Sequence, residues 1–221
     1  MDFNSSLAEF LPKIGMIYIP LLLALCVHEW AHGFMAKMRG DDTAERMGRL
    51  TLNPAAHIDP IGTVVLPLLI LFSGVPIFFG WAKPVPFDPR NLKNPRVDSF
   101  WIALAGPLSN VILALLATLV LGIYARLLPG ASFTGSVVQL LVAFMQINLF
   151  LAVFNMLPLH PLDGGKVIAR FLPIRANLWL ERNEHMTSLI LLGLIILGAL
   201  AFLALPVAWA TKFLVGLALG L

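Results

Sequence analysis

Residues 99–125 contain no Asp, Glu, Lys or Arg, and neither do residues 127–162 or 185–211. About 20 apolar residues cross the hydrocarbon core of a bilayer, so each stretch is long enough to span one. A soluble fold has no place for three such runs in 221 residues. Hydrophobic residues make up 59% of the chain and charged residues 12%, against about 25% charge in an ordinary soluble domain. These figures exclude a soluble enzyme, a disordered chain and a collagen-like fibre, and predict an all-α polytopic membrane protein. Fifteen Lys and Arg against 12 Asp and Glu give a net charge of +3. That is too small for a nucleic-acid partner, and no basic stripe interleaved with aromatic residues is present. The single cysteine, Cys26, excludes an internal disulfide framework and a four-cysteine zinc site.

Six apolar segments follow one another: Ile14–Ala36, Ile58–Ala82, Ser99–Ala125, Leu127–Leu162, His185–Thr211 and Phe213–Leu221. The first runs straight into polar residues without a small-residue cleavage pattern, so it is not expected to be a signal peptide. Lys37, Arg39, Arg46 and Arg49 follow the first segment; Lys83, Arg90, Lys93 and Arg96 precede the third; Lys166, Arg170, Arg175 and Arg182 follow the fourth. Positive charge accumulates on cytoplasmic loops. The expected topology therefore places 37–57, 83–98 and 163–185 in the cytoplasm, with the N-terminus and the uncharged connector 128–136 outside. Both flanks of 58–82 then lie on one side. That segment is expected to enter and return, turning at Gly74-Val75-Pro76, packed on protein or lining a wet cavity. The last part is expected to be one crossing followed by a short helix after Pro206.

Polar groups interrupt the first segment as His28-Glu29-Trp30-Ala31-His32. Residues four apart differ by about 40° around a helix, so both imidazoles lie on one face and can approach one metal ion. Glu29 lies beside them, where a carboxylate can take a proton from water. Ionisable groups inside an apolar helix point to function; the competing reading is a His/Glu hydrogen-bond network between helices. Zinc in a catalytic site usually has three protein ligands and an open position. The third candidate is Asp163, in Asn155-Met156-Leu157-Pro158-Leu159-His160-Pro161-Leu162-Asp163-Gly164-Gly165. The prolines and paired glycines break the helix there and free the carboxylate to turn inward. Alternatively Asp163 is an N-cap for a short helix that follows.

These residues resemble the site-2 protease family of intramembrane zinc metalloproteases. His28-Glu29-x-x-His32 matches its first motif, and Asn155-x-x-Pro158-x-x-x-Leu162-Asp163-Gly164 its second. Ala105-Gly106-Pro107-Leu108-Ser109-Asn110 resembles the opening of its middle core helix. The resemblance covers about residues 14 to 172. It implies a single transmembrane protease domain over 1–221, with core helices 14–37, 99–126 and 136–162, a re-entrant or β-hairpin element at 58–82, and C-terminal helices over 185–221. No room is left for the PDZ or CBS domains of some members, as in a minimal bacterial or archaeal type. The chain is expected in a prokaryotic plasma membrane, with its active site toward the cytoplasm and membrane-spanning proteins as substrates.

Residues and resemblance together give one zinc per chain, held by His28, His32 and Asp163, with Glu29 as the catalytic base. Asn155, Asn110 and His57 are candidates for binding substrate or the developing oxyanion. For Asn110, interhelical hydrogen bonding is an equal alternative. His57 has the equal alternative of a loop histidine bonded to backbone. His160 is a possible neighbour of Asp163 rather than a fourth ligand. His32 is five residues from Lys37, roughly 7–8 Å along a helix, so water has a short path to the site. A helical substrate must unwind before cleavage. Phe79-Gly80-Trp81-Ala82-Lys83-Pro84-Val85-Pro86-Phe87 looks like an extended edge strand able to pair with it, or else a solvated loop anchored by Trp81. The alternative function is a membrane metal-binding protein or transporter with the same ligands and no proteolysis.

Overall fold

Among the described residues four helices are long and apolar enough to cross a membrane: Gly15–Met38 within a longer first helix, Pro95–Leu127, Ser136–Asn155 and Ala199–Leu219. The computed structural model describes residues 3–68, 80–128 and 135–220. In chain order the helices are α1 (Phe3–Met38), α2 (Thr43–Arg46), α3 (Pro95–Leu127), α4 (Ser136–Asn155), α5 (Asp163–Ala169), α6 (Ile174–Arg182), α7 (Glu184–Ile196) and α8 (Ala204–Leu219). The all-α polytopic class expected from composition is the observed one. No strand forms among the described residues, so the small β element takes another shape there.

The long helices pack around α3, which touches α1, α4, α5 and α8. Small side chains set the spacing. Ala114 and Ala117 are buried with Leu121, Val138, Met145, Leu214 and Ala218 between α3, α4 and α8. At Gly122 an added Cβ would come to 3.1 Å from the Ala218 carbonyl; close approach at small residues drives helix packing where lipid offers no hydrophobic gain. The opposite face of α3 leaves Ile112, Leu115, Leu116, Leu119 and Val120 exposed, as a face turned to lipid must be.

The connection from α1 to α3 begins and ends at one end of the bundle. Arg39 lies 3.5 Å from Asp98 and stacks its guanidinium over Trp101 at 5.6 Å. Farther in, the Lys83 N–H donates to the His57 carbonyl at 2.9 Å and Trp81 N–H to the Gly62 carbonyl at 3.1 Å. The chain therefore returns at 81–83 to the place it left at 57–62. Its outward limb is a π-helical turn, Pro60–Val65, capped by the Asp59 carboxylate accepting from Ile61 and Gly62. The expected turn at Gly74-Val75-Pro76, and Phe79, lie outside the described residues.

Residues 80–88 run extended along the end of α1 as a strap. Arg49 donates to the Lys83 carbonyl at 2.8 Å. Asp41, fully buried, accepts from Asp88 N–H at 2.7 Å, from the Asn91 amide at 2.7 Å and from the Thr43 hydroxyl at 2.5 Å. Burial pushes its carboxyl up, but the donors from Asn91, Thr43 and Asp88 outweigh this and hold it below the usual 3.8. A carboxyl lowered in the folded state stabilises the fold above its unfolded value, and the contribution is lost as pH falls through the folded value. Asp41→Ala leaves those donors without their acceptor, at a cost of about 1–3 kcal/mol. Thermal unfolding in detergent should show that loss at pH 7. It should also show a wild-type decline below the usual carboxyl value that is smaller in the variant.

Two boundaries differ from expectation. The helix expected to reach residue 162 ends at Asn155, because Pro158 disfavours helical backbone at the residue before it. In the C-terminal part the chain breaks at Gly198, in left-handed conformation at φ 67°, and not after Pro206. Pro206 sits in the first turn of α8, just past the helical turn 199–203, and the helix runs on through it. The crossing is therefore the later piece, and α7 is the short one.

Candidate active site

α1 carries His28 and His32 one turn apart on the face toward α3. Their rings meet edge to face, centroids 4.6 Å apart and planes at 87°. Asp163, the first residue of α5, brings Oδ2 to 3.1 Å from His28 Nε2 and 3.2 Å from His32 Nε2. The two Nε2 atoms are 3.0 Å apart. The cap position before α5 belongs to Leu162, and no side-chain cap bond is made; the carboxylate of Asp163 points to the histidines instead.

The far side of each ring decides what this triangle is. His32 Nδ1 lies 2.7 Å from the Ile102 carbonyl, which can only accept, so Nδ1 bears the proton. His28 Nδ1 lies 2.6 Å from Asn110 Oδ1. With Nδ1–H donating in both rings, both Nε2 atoms present bare lone pairs. Asp163 Oδ2 adds a third, buried and without an aligned hydrogen-bond donor. Three lone-pair atoms of types that bind zinc, all within 4.8 Å of one another, converge on one point. Together they repel, and a cation between them removes the repulsion. Two imidazoles and one carboxylate match the donor set of a catalytic zinc site that keeps a position open.

α3 is shaped to admit the rings. At Gly106 an added Cβ would come to 2.5 Å from His32 Cε1 and 2.7 Å from His28 Cε1, and would also meet His32 Nε2. Pro107, the next residue, removes the helix bond to the Ala103 carbonyl and loosens the ladder beside Ile102. At the Asp163 side, a Cβ at Gly164 would strike the carbonyls of Met156 and Leu157, so the tight turn that delivers Asp163 needs glycine there.

The other sequence candidates divide. Glu29 accepts the Val85 N–H at 2.8 Å, which ties the strap to the site helix. Gly33 makes room for that approach, with its added Cβ 3.0 Å from Val85 Cγ1. Asn110 joins the site through His28; its amide N–H groups are spent on Ala24 and Asn148. That is the interhelical bonding weighed as one of the two readings from sequence. Asn155 donates to the Leu151 carbonyl of its own helix at 3.0 Å. His57, buried, bonds to the Thr51 carbonyl at 2.8 Å. His160 is buried with Nδ1 unpartnered, and burial lowers its imidazole below the ordinary value. The strap's Trp81, Lys83 and Val85 N–H groups all donate within the protein, to Gly62, His57 and Glu29. Pro84 and Pro86 have none to offer. Sequence reasoning missed the roles of Gly106, Asn148 and Val85: Gly106 stood in a singled-out motif and Val85 in the expected strand, while Asn148, a polar group in an apolar helix, was the signal passed over.

Comparison with known proteins agrees with this geometry. Residues 16–127 and 122–198 match the model of peptidase family M50. The chain is 41% identical over 167 residues to the Bacillus subtilis protein named "Putative zinc metalloprotease YwhC", covering 73% of this chain and 72% of that one. It is 32% identical over 151 residues to the Mycolicibacterium smegmatis protein named "Putative zinc metalloprotease Rip2", covering 65% of this chain and 52% of that longer one. A shorter match of 68 residues at 46% identity links it to the Methanocaldococcus jannaschii protein named "Putative zinc metalloprotease MJ0611", over 30% of this chain and 31% of that one. No solved structure matches the chain with comparable significance.

Proposed function

This chain belongs to peptidase family M50 and is a zinc metalloprotease of the multi-pass membrane type, and on that premise we propose that it hydrolyses peptide bonds within the membrane-spanning segments of other proteins. The observation that carries this reading is the place of the ligand triangle. Two of its members sit on a spanning helix and face a second spanning helix, and the third follows a third. A peptide bond reaching them must enter the bundle. The proposed cleavage face is cytoplasmic and the membrane a prokaryotic plasma membrane. Support for the orientation comes from the basic residues that cluster at the end of the bundle holding the strap, Arg39, Arg49 and Lys83 among them.

In this reading His28, His32 and Asp163 hold zinc. Zinc held there supplies Lewis-acid polarisation of a scissile carbonyl and lowers the pKa of water toward about 7. The side-chain oxygen of Asn110 and the backbone carbonyl of Ile102 fix the imidazoles with Nε2 free for that role. Glu29 takes the proton from the attacking water as its oxygen bonds to the carbonyl carbon. It then delivers the proton to the amine nitrogen as the carbon–nitrogen bond breaks. One carboxylate oxygen anchored on Val85 N–H leaves the other to carry the proton.

The test is incubation of the purified, zinc-loaded protein in detergent with a panel of labelled transmembrane peptides, followed by mass mapping of the products. Chelator-sensitive cleavage inside a membrane-spanning sequence is expected. Zinc-loaded protein that cuts only soluble peptides, or none, would overturn the proposal.

A further inference from the structure

Two fully buried asparagines stand behind the metal site, Asn110 on α3 and Asn148 on α4, each with 0% of its surface exposed. A buried amide is costly unless its donors and acceptor are all used. Their partners form one continuous chain. Asn148 Nδ2 donates to the Phe144 carbonyl at 2.8 Å. Asn110 Nδ2 donates to Asn148 Oδ1 at 2.9 Å and to the Ala24 carbonyl at 3.3 Å. Asn110 Oδ1 faces His28 Nδ1 at 2.6 Å.

The direction of every bond follows from the ends. The Phe144 and Ala24 carbonyls accept and cannot donate. Asn148 must turn its NH2 to Phe144, and so its oxygen to Asn110. Asn110 must turn its NH2 to Ala24 and Asn148, and so its oxygen to His28. His28 Nδ1 is then obliged to donate, and Nε2 is left bare. The two backbone carbonyls allow only this one arrangement of both amides.

We propose that Asn110 and Asn148 are positioning residues, a buried amide relay that fixes the tautomer and orientation of His28 and thereby sets the zinc affinity of the site. The proposal rests on the reading that His28 is a zinc ligand. Its two ligand imidazoles are held in different ways. His32 is fixed by one backbone carbonyl of α3, Ile102. His28 is fixed by a side-chain chain that passes through α3 into α4 and is braced on α1 at Ala24. Partners of this kind fix the ring of a metal-binding histidine and raise its basicity, and successive bonds in one direction polarise each other. Neutral amides do this without placing a further charge inside the bundle. α4 therefore contributes to zinc binding although none of the three converging atoms is on it.

The experiment measures zinc affinity in detergent by competition with a chromophoric chelator, together with thermal unfolding of the zinc-free protein. The variants are Asn110→Leu, Asn110→Asp, Asn148→Leu and, as control, His28→Ala. Asn110→Leu keeps the volume and removes the acceptor, and zinc affinity should fall roughly 10–100-fold. Asn110→Asp keeps an oxygen toward His28, and affinity should stay near wild type even where the lost donors lower thermal stability. Asn148→Leu leaves Asn110 braced on Ala24 alone, and affinity should fall by a smaller factor. Lower thermal stability of Asn110→Leu with unchanged zinc affinity would reduce the relay to a structural contact and overturn the proposal. If Asn110→Leu does not fold, the other pair decides: zinc retained in Asn110→Asp but weakened in Asn148→Leu supports the relay, and the reverse order refutes it. Unchanged zinc binding in His28→Ala would instead defeat the assignment of the metal site itself.

Discussion

Replacing Glu29 by Gln is expected to leave zinc content unchanged and to lower peptide cleavage by about 10²–10⁴-fold, the usual contribution of a general base. The substitution is close to isosteric. A Gln side-chain oxygen still accepts the Val85 N–H that now reaches Glu29 at 2.8 Å, so the strap keeps its tie to α1. Neither ligand imidazole bonds to Glu29; their outer nitrogens are held by Asn110 and Ile102. What the amide loses is the ability to take a proton. Zinc stoichiometry and cleavage of one fixed transmembrane peptide, measured on the same preparation, separate the effects. Wild-type cleavage in Glu29→Gln would remove the residue from the chemistry. Loss of zinc in that variant would make the Val85 contact, and not proton transfer, its main contribution.

How much of this was legible in the sequence depends on whether the relevant physics is local. The four-residue spacing of His28 and His32 is a property of one helix, and it survives folding unchanged. The charge on both flanks of 58–82 predicts that the flanks lie on one side, and the hydrogen bond from Lys83 to His57 joins them. Asp163 was half legible. Prolines and glycines showed that the helix must break, but only the fold decides between a ligand and a cap, and Leu162 takes the cap position. The C-terminal break was misplaced for a definite reason. In a run apolar on every face there is no periodicity to mark where one helix stops, and a proline reads as a stop although it is equally at home in a first turn. The β element failed because the strap's inward donors find separate acceptors, a π-turn, a loop carbonyl and a carboxylate, where a strand would have supplied a ladder. Asn110 was left open between substrate and interhelical bonding, and its three partners come from segments that no local pattern connects.

Gly106→Ala is expected to weaken zinc binding although alanine is the better helix former. In most helices the change is favourable by about 1 kcal/mol, since alanine has the higher helix propensity. Here the added methyl would lie 2.5 Å from His32 Cε1 and 2.7 Å from His28 Cε1. A side chain can usually swing away from such a contact. These two cannot do so and keep their bonds, because His28 is held by Asn110 at 2.6 Å and His32 by Ile102 at 2.7 Å. Asn110 and Ile102 stand on the same helix as Gly106, so moving α3 outward to admit the methyl also withdraws both anchors. Either response takes the Nε2 atoms away from Asp163. Zinc affinity should fall by at least about 10-fold, on the scale set by loss of an orienting partner, with cleavage lost in parallel. The zinc-free protein should melt at or below wild type, because the bonds to Asn110 and Ile102 given up to admit the methyl offset the gain in helix propensity. Gly122, on the same helix and in contact with Ala218, is the control: Gly122→Ala should lower thermal stability through packing against α8 and leave zinc affinity unchanged. Equal zinc affinity in wild type and Gly106→Ala would mean that the rings have room the structure does not give them, and the steric account of the site would fail.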